Sequence, residues 1–309
     1  MTNKNTLLYK YNPVEGKELY SKLKMDFPIF SSTNGSKHSV ELENPIHGRS
    51  ICLGEIDYQN SKRWLFAKGI GWTKQFTEFL FVDKDIEYYM GLQNIEECLR
   101  EWEVSESLNR YKFWKGDVLA GYEYDYLFLN GEKIPADEIT YNGEQPFRPC
   151  MTYYCSRSRY RVFDVAYMTD EKRSQHLEWL IITSQSKTVK EYMEWFIDRT
   201  AYNVALLHKL GGVDDSLSSH NVTTLGEKID FELVYVPEVP HKESSWNDNI
   251  YRRQNKEILY AFDLIIDLIA FFHVDFNWII SKDLFIKKYE EYYPNHDRES
   301  LFRKLNFKR

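Results

Sequence analysis

The sequence is short of the features that mark secreted, membrane-spanning or nucleic-acid-binding chains. Cysteine is scarce, with Cys52, Cys98, Cys150 and Cys155 the four among 309 residues. None forms a CxxC pair, so no zinc-ligand spacing is present. Cys150 and Cys155 could approach each other on a strand; the expectation for all four is reduced thiols in a cytoplasmic protein. An excess of positive charge is also missing, the net charge being −7. No general basic field is available for sequence-independent binding of DNA or RNA, and no nucleic-acid partner is expected. The start, Met1-Thr-Asn-Lys-Asn5, has no apolar signal core. A long uninterrupted hydrophobic run is lacking too, because the most apolar window, 258–280, carries Asp263, Asp267 and Asp275. Asp263 and Asp267, four residues apart, share one face of a helix whose other faces are Leu, Ile and Phe. That is a helix packed into a core and not a membrane span. No internal repeat or low-complexity tract is visible.

What is present can fold. Apolar residues make up 43% of the chain and aromatics 16%, which excludes general disorder and supports one large domain or two lobes. The β-type runs at 47–56 and 63–73, with a turn across 57–62, predict a hairpin. A helix is expected over 87–108, further strands over 117–129 and 139–141. A long helix over 189–210 is stopped by Gly211-Gly212. Two more helices follow over 256–272 and 282–292, then a basic tail. The order, a β-rich half with one helix and then a mainly helical half, predicts an α+β, two-lobed arrangement within a single domain: about 1–150 and 151–309.

The stretch from Asp214 to Asp230 carries the most chemical information. Asn221 ends a polar loop, 222–224 reads as a short strand, Gly226-Glu-Lys228 as a tight turn, and 229–231 as the start of a returning strand ending at Val236. Asn221 and Asp230 on the two arms of such a hairpin can face one site. An Asn and an Asp offering hard oxygen ligands to Mg2+ is how kinase-type sites hold ATP. On this stretch alone, an ordinary hairpin with polar ends is the other reading.

Upstream candidates bear on that choice. Lys68 ends the second β-type run beside Gly69 and Gly71, where its ammonium could reach phosphate oxygens. Glu101 lies on the 87–108 helix, and a glutamate packed against a lysine strand holds the lysine at the phosphates in kinases. A solvated acid is the plainer reading. Arg157, Arg159 and Arg161 alternate, so in a strand they would share a face. Three such cations need anions among them, either a polyphosphate or surface carboxylates. The loop 31–38 either covers phosphates or is plain surface. His208 and His273 lie on helical patterns and read as structural.

These segments resemble selenoprotein O and its bacterial relatives, the kinase-fold protein adenylyltransferases. The family's DGRAxLLGE is matched by His47-Gly-Arg-Ser-Ile-Cys-Leu-Gly-Glu55, its KGxGxT by Lys68-Gly-Ile-Gly-Trp-Thr73, and its REFxxSEAx by Arg100-Glu-Trp-Glu-Val-Ser-Glu-Ser-Leu108. Its RTA helix, glycine and TDN are matched by Arg199-Thr-Ala201, Gly211 and Ser219-His-Asn221. Its N-x4-G-x3-D ending in IDYG is matched by Asn221, Gly226 and Ile229-Asp-Phe-Glu232. Five segments in order, over about residues 47–232, carry the likeness. The family's C-terminal half is longer, so the chain looks like a shortened, divergent member.

The resemblance implies a protein-kinase-like fold with a β-rich N-lobe and a mainly helical C-lobe. It implies ATP and Mg2+ (or Mn2+) as cofactors and transfer of AMP to a protein hydroxyl. Lys68, with Gly69, would contact phosphate and pair with Glu101; Arg161 would contact phosphate; Asn221 and Asp230 would hold the metal. Four departures stand out. His220 replaces the acidic residue before the metal Asn, and imidazole can serve as a base near neutral pH but not as a hard Mg2+ ligand. Asp214-Asp215 replace the family's His-Gly, and either carboxylate could take the lost role. Tyr154 stands at a second family arginine, for which Arg157 or Arg159 would compensate. Glu232 replaces the glycine after the metal Asp. The same residues leave two other expectations: a kinase or adenylyltransferase acting on a small molecule, and a nucleotide-binding scaffold without activity.

Overall fold

A computed structural model describes residues 5–10, 30–31, 50–69, 93–129, 132–138, 140–141, 145–146, 148–239 and 249–294. Most of the 31–38 loop, residues 47–49, Gly71, Thr73, residues 87–92 and the basic tail lie outside the described residues.

In chain order the strands of the first part are β1 (Asn5–Lys10), β2 (Phe30–Ser31), β3 (Ser50–Tyr58), β4 (Ser61–Lys68) and β5 (Gln93–Asn94). Helix α1 (Ile95–Asn109) follows, then β6 (Asp117–Tyr124), β7 (Tyr126–Leu129), β8 (Glu132–Pro135), β9 (Thr140–Tyr141), β10 (Gln145–Pro146) and β11 (Pro149–Ser156). The expected hairpin is β3–β4, closed by Gln59 and Asn60 at φ of 47° and 57°. Two successive left-handed residues match the right-handed twist of paired strands.

Helix α1 begins later than the apolar pattern suggests, because a capping box sets its start. Asn94 Oδ1 accepts from the Glu97 backbone N at 2.8 Å, and the Glu97 carboxylate accepts from the Asn94 N at 3.4 Å. This reciprocal pairing satisfies donors that the first turn leaves free, and Gln93–Asn94 pairs as a strand with β11 instead.

The chain divides into two compact units, Met1–Glu103 with Gly116–Arg159, and Val104–Lys115 with Tyr160–Arg309. In the first, an antiparallel sheet runs β1-β6-β11-β4-β3, with β5 added on β11. Its core includes Ile51, Leu65, Leu119, Met151 and Tyr153. All eight residues of β11 are buried, as a central strand requires.

The second unit is helical: α2 (Asp170–Thr183), α3 (Val189–Lys209), α4 (Ile250–Phe271) and α5 (Trp278–Tyr292). Thr188 caps α3, accepting from the Glu191 N at 3.1 Å. Gly211, at φ 78°, ends it: the Gly212 N reaches the Leu207 carbonyl at 2.8 Å and the Gly211 N the His208 carbonyl at 3.0 Å. Phe196, Ile197, Leu264, Leu268 and Phe285 fill the core. Helix α2 lies outside the expected helices, and α5 begins four residues before the expected 282 because Asn277 caps it, its Oδ1 accepting from the Ile279 and Ile280 backbone N–H groups. No helix among the described residues is long and apolar enough to cross a membrane.

Two expectations are corrected. The strand β11 ends at Ser156, so Arg157, Arg159 and Arg161 do not line one strand face. The backbone turns there: Ser156 Oγ donates to the Ser158 carbonyl at 2.7 Å and Asp164 accepts from the Arg161 N at 2.7 Å. The expected hairpin of 222–224 with 229–236 is also much reduced. Val222 makes an isolated bridge with Lys228, and the short β13 (Val234–Tyr235) pairs with β12 (Val213–Asp214). Two backbone bonds flank the Val222–Lys228 bridge, Thr223 N to the Glu227 carbonyl at 2.9 Å and Ile229 N to the Asn221 carbonyl at 3.0 Å, and the Gly226 N closes the turn on the Thr223 carbonyl at 2.8 Å.

Candidate functional site

Within the first unit, Lys68 stands at the end of β4 and Glu101 on the second turn of α1. Lys68 Nζ donates to Glu101 Oε1 at 2.5 Å, and both side chains are 3% exposed. A buried ion pair holds only if its remaining lone pairs are also satisfied. Here Glu101 Oε2 accepts from Gln93 Nε2 at 3.0 Å, and Gln93 Oε1 accepts from Thr152 Oγ1 at 2.8 Å. A four-residue relay from β11 through β5 to α1 thus fixes the lysine's partner. Gly69 follows at φ 84°, and a Cβ there would stand 2.5 Å from the Cys150 carbonyl oxygen. This glycine is demanded by packing, whatever its role toward a ligand. Arg159 stacks its guanidinium over Trp64, 5.4 Å from the ring centroid, and Arg157 is half-buried.

Within the second unit, a backbone bond ties Asn221 to the residue before Asp230: the Ile229 N donates to the Asn221 carbonyl at 3.0 Å. Asn221 Nδ2 donates to the Ser216 carbonyl at 3.0 Å, which orients the amide so that Oδ1 is turned away to accept. Asp230 is half-exposed between buried Ile229 and Phe231 and sits at φ 64°. A non-glycine residue in that region is strained, and such strain collects at functional positions. The carboxylates of Asp230 and Glu232 lie within 4.8 Å of each other. The two carboxylates are hard donors of the kind Mg2+ and Mn2+ prefer, and the Asn221 amide oxygen is a donor of the same kind. Glu232 was read from the sequence only as a departure from the family pattern, and its closeness to Asp230 was not legible there.

The three base candidates differ in what they touch. Asp214 is buried: Oδ2 meets Lys228 Nζ at 3.0 Å, and Oδ1 accepts from the Ser216 N at 2.9 Å and Oγ at 2.8 Å. Asp215 is clamped by Arg253 through Nε and Nη2. His220 is exposed, its ring lying on Phe163 with centroids 3.7 Å apart, and Arg161 Nη1 donates to its backbone carbonyl at 2.6 Å. Arg161 is therefore a brace of the loop as well as a candidate phosphate ligand.

A further support was invisible in the sequence. Glu257 of α4 accepts from the Asp214 N at 2.9 Å and meets His208 Nε2 at 2.9 Å, and His208 Nδ1 meets the Tyr289 hydroxyl at 2.8 Å. Burial first, and then the charge of Asp214, push the Glu257 carboxyl well above its usual range. A cavity of about 20 Å³, lined by Asn203, Asp214, Lys228 and Glu257 among others, adjoins this network and has room for about one water. His208 is a bonded core histidine, as its helical position suggested.

Compared with known proteins, the chain matches no family model and no curated sequence.

Proposed function

We propose that this chain is an ATP- and Mg2+-dependent transferase of the kinase-like, selenoprotein O type that moves AMP from ATP to a protein hydroxyl. The observation that carries the reading is the second unit's hard-ligand set, with Asn221 held to the Asp230 segment by a backbone bond and Glu232 beside Asp230. The buried Lys68–Glu101 pair supports it independently, since a sequence pattern alone would not force a lysine and a glutamate 33 residues apart into contact.

In this reading Asn221, Asp230 and Glu232 would hold the cation, which would supply neutralisation of phosphate charge. Lys68, kept in place by Glu101, offers its ammonium to phosphate oxygens. Arg161 offers what its carbonyl bond leaves of its guanidinium edge. The exposed His220 takes the proton of the acceptor hydroxyl as that oxygen bonds to the α-phosphorus and pyrophosphate leaves. Asp214 and Asp215 shape the loop through Lys228 and Arg253. Rate enhancement comes chiefly from positioning and charge stabilisation.

The experiment is a titration of Mn2+ with ATP into the full chain, read by water-proton relaxation or calorimetry. Wild type is expected to bind the metal–nucleotide pair, and Asp230→Asn to weaken it by at least about tenfold, a loss of about 1.4 kcal/mol. Equal binding by both would remove the metal assignment.

A further inference from the structure

The second unit carries a guanidinium for which the described residues supply no acceptor. Arg199, on α3, lies over the rings of Trp114 and Trp195, with centroids 5.0 and 5.6 Å from its central carbon. Its Nε is buried and makes no hydrogen bond. Among the described residues no carboxylate lies within ion-pair distance of it. The adjacent Asp198 is committed elsewhere, to the Tyr292 hydroxyl at 2.9 Å and Lys288 Nζ at 3.6 Å.

Three other described arginines, Arg148, Arg173 and Arg253, each meet a carboxylate. Arg253 is matched by Asp215. Arg173 reaches Asp170 at 2.7 Å and the Met168 carbonyl at 3.0 Å. Arg148 grips Glu123 with two bonds of 2.7 and 2.9 Å. Arg173 and Arg253 each leave one buried nitrogen unmatched, yet both spend others on a carboxylate. Arg199 spends none.

The setting is also rigid. Trp195 is one helical turn before Arg199, so both project from the same face of α3. Trp114 is locked by three bonds: its indole Nε1 to the Leu225 carbonyl at 2.6 Å, and its backbone N and O to the Asn203 amide at 2.9 and 2.7 Å. Gly226 leaves room for the arginine stem, since a Cβ there would stand 3.3 Å from Arg199 Cβ. The two indoles stand 84° to one another with centroids 6.3 Å apart, so the guanidinium can lie flat on at most one of them and keeps its N–H donors along its edge. A fork of parallel N–H groups fits two oxygens of one carboxylate or phosphate.

We propose that Arg199, framed by Trp114 and Trp195, is a docking site for an oxyanion, a phosphate or carboxylate group that supplies two oxygens to the guanidinium edge. The proposal does not rest on the transferase reading and stands or falls apart from it.

The test uses the full chain with inorganic phosphate and, separately, acetate, each titrated against chloride at constant ionic strength. The side-chain Nε–H resonance of Arg199, assigned by its loss in Arg199→Lys, is followed by NMR. A saturable shift with at least one of the two anions, with chloride silent, is expected at concentrations on the order of 10 mM, as for one exposed charge-assisted pair. Saturation by phosphate but not acetate would identify a phosphate-bearing ligand, and the reverse a carboxylate. Arg199→Lys keeps the charge but loses the fork, so the thermal stabilisation given by the effective anion should disappear in it while the unliganded variant remains folded. No saturable shift with either anion, or undiminished stabilisation of Arg199→Lys, would overturn the proposal.

Discussion

Gln93 Nε2 donates to Glu101 Oε2 at 3.0 Å, so the carboxylate that pairs with Lys68 is held from both sides. The pair is buried, and removing one charge leaves the other without compensation in a poorly solvated place. Glu101→Leu or Lys68→Met alone should therefore cost about 3–5 kcal/mol. The double variant should cost much less than the sum. Urea unfolding of the four proteins measures this coupling. A double variant as unstable as the sum of the singles would show that the two groups do not share one interaction.

Gln93→Leu keeps the volume but removes one partner each from Glu101 Oε2 and from the Thr152 hydroxyl, which also reaches Cys98 Sγ at 3.1 Å. The expected loss is about 1–3 kcal/mol, read by the same unfolding series. A variant as stable as wild type would mean that water replaces the amide.

His176 gives a pH dependence with a defined sign. Burial, partly offset by the charge of Asp164, lowers its pKa from 6.5 to about 4. Its ring meets Thr224 Oγ1 at 3.0 Å and packs on Trp179. Because the unfolded chain takes up this proton first, the folded state loses stability as pH falls through 6.5 toward 4. It loses nothing more from this group below that. The full loss is about 3 kcal/mol at 1.36 kcal/mol per unit. The stability difference between wild type and His176→Gln, measured from pH 8 to pH 4, should shrink by that order; a pH-independent difference would contradict it.

Asp230 sits at φ 64°, where glycine carries no penalty. Asp230→Gly should thus be at least as stable as Asp230→Ala by about 1 kcal/mol, while both lose metal-dependent nucleotide binding. Thermal melts beside binding isotherms check the two effects together. Equal melting of the two variants would show that the backbone strain is inconsequential.

Much of the fold was legible because local chemistry determined it. The β3–β4 hairpin follows from two β-type runs around a turn, and α3 from its periodicity and its glycine stop. The start of α1 was legible too, in Asn94 and Glu97 three residues apart, but the apolar pattern upstream hid it. Alternation of Arg157, Arg159 and Arg161 imitated a strand, and the Ser156–Ser158 turn that ends β11 carries no strong sequence signal. Val222-Thr-Thr224 reads as a strand from its β-branched residues in a row, and its pairing amounts to the single Val222–Lys228 bridge and the two bonds that flank it. The site's supports were least legible. Glu257 holds the Asp214 backbone from 43 residues away and Thr152 reaches Gln93 across 59, and single-sequence spacing says nothing about such pairs.

The proposed reaction is AMP transfer with a metal held at Asp230. It is tested most directly by incubating the full chain with Mg2+, a protein extract as acceptor, and ATP labelled at either the α- or the γ-phosphate. Label from α-ATP should appear on protein with release of pyrophosphate, and should vanish with Asp230→Ala. Label on protein from γ-ATP alone, or from neither, would contradict it.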